Sequence, residues 1–103
     1  MEKVETVIRG HRLVFKPWTY GEKQAVLRRI MKRRVNPVTG QTEIDVDPFD
    51  LQDEMVIACL VQWDLPEKPS LEALRALEPV LAEEIIAFCQ RINSVSEDDR
   101  KKS

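Results

Sequence analysis

Three glycines, one histidine and two cysteines are all that 103 residues hold of the residue types on which most small active sites depend. So few glycines leave no room for the loops whose backbone amides cradle phosphate groups. The one histidine, His11, follows Gly10 in a predicted turn, and spacing brings no serine or cysteine beside it that it could activate as a general base. Cys59 and Cys89 both fall on apolar helix faces, where a free thiol behaves as a small hydrophobe. They are too far apart in sequence for a zinc motif, and a lone histidine cannot complete a nitrogen and sulfur ligand set. Long apolar runs are also missing. The longest, Met55 to Val61, has seven residues, against about 20 for a bilayer-spanning helix. No cofactor, metal, membrane span or enzymatic activity is therefore expected. The start of the chain, MEKVETVIRG, alternates and lacks the apolar core of a secretory signal, so a cytoplasmic protein without a disulfide is expected.

What the chain does have is charge, unevenly placed. Residues 1–34 carry ten Lys/Arg against three Asp/Glu, a net +7, whereas residues 35–103 carry six against fifteen, a net −9. Such a split points either to pairing between the halves or to a charged partner on one face. The acidic series Glu43, Asp45, Asp47, Asp50 and Asp53 has the look of a calcium loop, but Pro48 and Phe49 fall in its middle and its turn glycine is absent.

The stretch Leu51 to Trp63, LQDEMVIACLVQW, is apolar around the whole circumference of a helix, which marks an element buried on more than one side. Asp47 supplies a cap, Pro48 suits the first helical position and Asp50 places an acid in the first turn. A central helix over residues 48–63 is predicted, with Trp63 in the core. Ahead of it, Val4 to Ile8 and Arg12 to Lys16 alternate about Gly10-His11 and read as a β-hairpin. Two strands alone are marginal in water, so the face of Val7, Leu13 and Phe15 must rest on helices. Thr19-Tyr20-Gly21-Glu22 has the spacing of a capping box. Residues 35–47 read as a loop or short hairpin turning at Pro37 to Gly40. Ser70 caps a short helix, Pro79 opens the last long one, and SVSEDDRKKS reads as a disordered tail. The expected fold is a mainly helical α+β domain over residues 1–93, a hairpin followed by about four helices, with a charged tail over 94–103.

One local rule is broken. On a basic helix over residues 22–34, Arg28/Lys32 and Arg29/Arg33 would be like-charge pairs, each costing about 0.2–0.5 kcal/mol. Glu43, Asp45 and Asp47 folding back could offset this, and so could an acidic partner. Nucleic acid is disfavoured by the acidic overall balance and by the lack of aromatics interleaved with the arginines. Trp18 and Tyr20 flank the cap, either stapling the hairpin to the helix or offering a partner two rings. The candidate partner-binding residues are Trp18, Tyr20, Arg28, Arg29, Lys32 and Arg33.

With WTYGEK, DPFDLQDE, WDLP and the terminal LxxLxPVLAEEI in view, the chain resembles the small tail assembly chaperones of long-tailed bacteriophages over about residues 10–93. The matching positions are Thr19, Tyr20, Gly21 and Glu22, then Asp50 and Leu51, then Trp63, and Leu77 with Pro79. The resemblance implies a non-enzymatic protein of the bacterial host cytoplasm. Such a protein binds the tape measure protein, helps recruit tail tube protein and can self-associate. The arginine cluster and residues 35–47 are not part of that pattern. They leave room for a small DNA-binding regulator using helix 22–34, or a structural adaptor of a phage particle.

Overall fold

A computed structural model describes the backbone of residues 3–102 and the side chains of residues 3–94. Strand β1 (Val4–Ile8) pairs antiparallel with β2 (His11–Phe15) across a two-residue turn. That turn needs positive φ at both positions, and Arg9 (49°) and Gly10 (83°) supply it. This is the backbone twist that suits a tight hairpin, at some steric cost to Arg9. Helix α1 (Tyr20–Ile30) follows, then a separate hairpin of β3 (Lys32–Val35) and β4 (Thr42–Asp45). Helix α2 (Pro48–Cys59), strand β5 (Leu60–Trp63), helix α3 (Leu71–Arg75) and helix α4 (Pro79–Lys102) complete the described chain. The fold is α+β, with four helices and five antiparallel strands among the described residues. Helix α4 runs past residue 93, where the sequence marks the start of a charged tail.

The expected helix over 48–63 is cut short. It ends at Cys59, Leu60 turns extended (φ −82°, ψ 110°), and Leu60–Trp63 joins the far edge of β2 as a third strand. The gain is in hydrogen bonding: the outer edge of β2 would otherwise present unpaired backbone groups. Val61 is the extra residue of a bulge between the Val14–Gln62 and Phe15–Leu60 pairs. The bulge resets the alternation so that Leu60 and Trp63 both point into the core while Val61 and Gln62 face out.

Leu13, Phe15, Val56, Leu60 and Trp63 form the core with Leu74 from α3 and Leu81, Ile85 and Cys89 from α4. Each large side chain buried there contributes about 1.5–3 kcal/mol of transfer free energy. Ala58 is only half-buried, so the inner face of α2 is defined by Met55, Val56 and Cys59. The radius of gyration, 15.9 Å, exceeds the ~13 Å usual for a chain of about 100 residues, so parts of the molecule project. One of them is the β3–β4 hairpin, which packs on no other element beyond marginal contact. No helix among the described residues is long and apolar enough to cross a membrane.

Candidate protein-interaction face

The entry to α1 is fixed by its own sequence. Thr19 Oγ1 accepts the Glu22 N–H at 3.1 Å, and Glu22 Oε1 accepts the Thr19 N–H at 2.9 Å, closing the capping box. Lys16 Nζ donates to both Glu22 carboxylate oxygens, at 3.1 and 2.9 Å. The Lys16 ammonium and the Thr19 amide hold the Glu22 carboxyl below its ordinary value of 4.5. A carboxyl depressed on folding adds stability that is present above its unfolded-state value and is lost as pH falls through the folded one. Glu22→Gln should therefore melt below wild type at neutral pH, with the gap closing between about pH 5 and 3; thermal melts across that range test this.

This cap positions Trp18. Its backbone N–H donates to Asn93 Oδ1 of α4 at 3.2 Å, tying the α1 entry to the last helix. The indole lies half-buried in an open groove of about 230 Å³, lined also by Lys23, Leu51, Gln52, Met55, Gln90, Asn93 and Ser94. Trp18, Leu51 and Met55 give it an apolar floor and the remaining residues a polar rim, the layout of a protein-binding patch. Tyr20, one residue into the helix, is 66% exposed and stands apart from the groove lining.

The basic residues are dispersed rather than gathered on one helix. Helix α1 ends at Ile30, and Met31 is extended (φ −67°, ψ 131°) with its N–H still bonded to Leu27 O. Lys32, Arg33 and Arg34 consequently lie on β3, not on the predicted helix 22–34. Ending the helix removes both like-charge pairings, so neither a folded-back acidic segment nor an acidic partner is needed to offset them. Arg29 turns inward instead, donating from Nε at 2.7 Å and from Nη2 to Glu54 Oε2 of α2, a carboxylate that is almost wholly buried. Arg34 meets Glu43 and Asp45 of β4, each at 3.4 Å. The acidic segment thus pairs with Arg34 alone of the cluster; Arg28, Lys32 and Arg33 form no ion pair among the described residues. Of the six candidate partner-binding residues, Trp18 lines this groove, Lys32 lines a separate one of about 320 Å³ with Ile30, Asp45, Val46 and Asp47, and Arg29 has a structural role.

Two further pairs have internal roles. His11 is the first residue of β2 rather than part of the turn. Its Nδ1 lies 3.1 Å from Asp64 Oδ1, while the Arg12 N–H donates to Asp64 Oδ2 at 2.9 Å. The Arg12 amide, aided by His11, lowers the Asp64 carboxyl, and the three residues lock the end of β5 onto β2. Cys59 and Cys89 are free and fully buried, with Asn93 Nδ2 at 3.6 and 3.8 Å from their sulfurs. The hydrogen bond with Cys59, together with burial, pushes the Cys89 thiol up, which suits packing rather than nucleophilic work.

What sequence reasoning missed is the apolar surface of the β3–β4 hairpin and the turn into α2. Val35, Val38, Ile44, Val46 and Phe49 are all exposed, Val38 at 90% and Phe49 at 73%. The signal was the alternation of Ile44 and Val46 with acids, a strand pattern whose Ile44 is left 59% exposed among the described residues. No protein-family profile, curated protein or solved structure matches the chain.

Proposed function

We infer that this protein is a non-enzymatic tail assembly chaperone of a long-tailed bacteriophage, binding the tape measure protein and assisting assembly of the tail tube. The observation that carries a binding role is the Trp18 groove, open between α1, α2 and α4 with an apolar floor and a polar rim. A tryptophan anchored by its own backbone, with its ring half-buried between the core and the groove, is the kind of group that dominates binding energy in protein interfaces. The groove takes apolar side chains from one face of a helix, and a long helical protein offers such faces repeatedly. The phage assignment rests on the sequence motifs: the WTYGEK cap, the DPFDLQDE helix start, Trp63 and the proline opening the last helix. The DNA-regulator reading lost its main support with the basic helix, since only Arg28 and Arg29 of the cluster remain on α1 and Arg29 is bound to Glu54.

Co-expression provides the test. A long coiled-coil tape measure protein should stay soluble when the two are made together and precipitate when made alone. Trp18→Ala should abolish that rescue while keeping a cooperative melt. Equal solubility with and without this chain would defeat the reading.

A further inference from the structure

Asn93 joins the groove to the core behind it. Its Oδ1 accepts the Trp18 N–H at 3.2 Å, and its Nδ2 reaches Cys59 Sγ at 3.6 Å and Cys89 Sγ at 3.8 Å. One side chain thus ties the groove tryptophan to both cysteines of the chain. The two thiols are also hydrogen-bonded to each other, and Cys89 Sγ lies 3.9 Å from Met55 O. Cys59 is the last residue of α2, and its carbonyl accepts the Lys16 N–H at 2.8 Å. The pair therefore sits where the end of β2, α2 and α4 meet.

Thiols packed as small hydrophobes are ordinarily inert, and both sulfurs belong to fully buried residues. Two features set this pair apart. Each thiol has the other beside it, so a sulfur that becomes oxidised has a reducing neighbour in place. Asn93 and Met55, which contact the sulfurs, also line the open groove of about 230 Å³, so a single layer of side chains separates the pair from water. Hydrogen peroxide, little larger than a water molecule, passes such a layer when the Asn93 side chain swings out. A bulky disulfide reagent does not.

The two thiols differ in environment. The hydrogen bond with Cys89, aided by Asn93 and by the Lys16 ammonium, holds Cys59 below its ordinary value of 9.0, whereas the same bond and burial push Cys89 up. Since the thiolate is the reacting form, Cys59 attacks first and Cys89 follows.

We propose that Cys59 and Cys89 are a peroxide-responsive pair, and that closing it to a disulfide releases Asn93 from Trp18 and so reshapes the groove. In the first step the Cys59 sulfur attacks one oxygen of hydrogen peroxide, the O–O bond breaks, and the thiol proton leaves with the other oxygen as water. Cys59 then carries a sulfenic acid. In the second step the Cys89 sulfur attacks that sulfur, the S–O bond breaks, and the Cys89 proton leaves with the hydroxyl group as a second water. Cys89 needs no resting thiolate for this, because the electrophilic sulfur is held against it. The two thiols lose two electrons and the peroxide gains them; a dithiol reverses the change by exchange. Drawing the sulfurs together removes both acceptors from Asn93 Nδ2, so the amide turns and takes its Oδ1 from the Trp18 N–H. In a reducing compartment such a bond is transient and redox-sensing rather than structural. As a control on partner binding this rests on the groove being the partner site, whereas the disulfide and the loss of the Trp18 bond do not.

The test treats the full chain with hydrogen peroxide and needs no partner. Unfolding in guanidinium followed by alkylation should find both cysteines blocked in a monomer, and both restored by dithiothreitol. The Trp18 amide, followed by NMR, should shift and exchange with solvent about tenfold faster after oxidation, as the loss of one hydrogen bond implies. Cys89→Ala removes the second thiol, so dimedone should capture a sulfenic acid at Cys59; Cys59→Ala should give neither product. A bulky aromatic disulfide should label neither thiol of the folded protein. The wild-type readouts decide the matter even if a variant fails to fold. Two free thiols after peroxide treatment, a disulfide formed only between molecules, or a disulfide that leaves the Trp18 amide unmoved would overturn the proposal.

Discussion

Replacing Phe15 with alanine should cost about 3–5 kcal/mol, the range for removing a large aromatic side chain from a core. Phe15 is fully buried, and its ring sits 5.2 Å from that of Phe88 at 45°, joining the sheet to α4. It also lies where the bulge shifts the β2–β5 register, with its partner Leu60 buried beside it. The truncation would therefore open a cavity between layers rather than at an edge, where neighbours could collapse into it. A domain of this size has about 5–15 kcal/mol of stability in total, so much of it would go. Urea unfolding followed by circular dichroism should show a sharply lower midpoint with an unchanged slope. A loss under about 1 kcal/mol would mean that the sheet and α4 do not share a core as described.

Removing Arg29 should also destabilise the protein, and more than removing any other arginine of the cluster. Glu54 retains 7% of its side-chain exposure and Arg29 retains 60%. Truncating the arginine leaves a carboxylate inside the protein without its donors, a loss of about 1–3 kcal/mol for a buried group of this kind. Fully enclosed pairs lose more, but the outer side of this one is wet. Arg28→Ala, one residue earlier, should stay within about 0.5 kcal/mol of wild type. Arg29→Ala combined with Glu54→Gln should recover part of the loss, because the stranded charge is gone; a double-mutant cycle on denaturation midpoints measures the coupling. If Arg28→Ala and Arg29→Ala were indistinguishable, the α1–α2 link would not depend on this pair. For the same reason, a charge reversal meant to probe partner binding belongs at Arg28 and Arg33, not at Arg29.

Elements with a local chemical cause were legible in the sequence. The capping box needs only Thr19 and Glu22 three apart, the α2 start needs only Asp47 and Pro48, and both form as read. The first hairpin followed from alternation about a glycine, but its inner face did not: Val7, opposite Arg12, is 63% exposed, and Leu13 and Phe15 face the core without it. The errors fell where a distant strand competed with local propensity. LVQW continues an apolar helix pattern, and nothing within it reveals that β2, about fifty residues earlier, offers an open edge. KRRV likewise continues a basic helix until TEID arrives to pair with it. Periodicity reports how a segment could bury its side chains, not which segment will bond to its backbone. At the candidate face, Trp18 was identifiable from its place before the cap, whereas the inward turn of Arg29 depends on a carboxylate on another helix.

The direct passage from α2 into β5 also bears on the order of folding. Leu60 caps the helix through Val56 O and is itself the first residue of the strand, so no flexible connector separates the two. The three-stranded sheet joins Leu13 to Trp63. During synthesis the N-terminal hairpin must therefore wait, with one edge unpaired, until α2 has emerged and swung β5 into place. Loop closure over that separation precedes any gain from the pairing, which slows collapse relative to a purely helical chain of equal length. The unpaired edge of β2 is then the most aggregation-prone surface of the nascent protein.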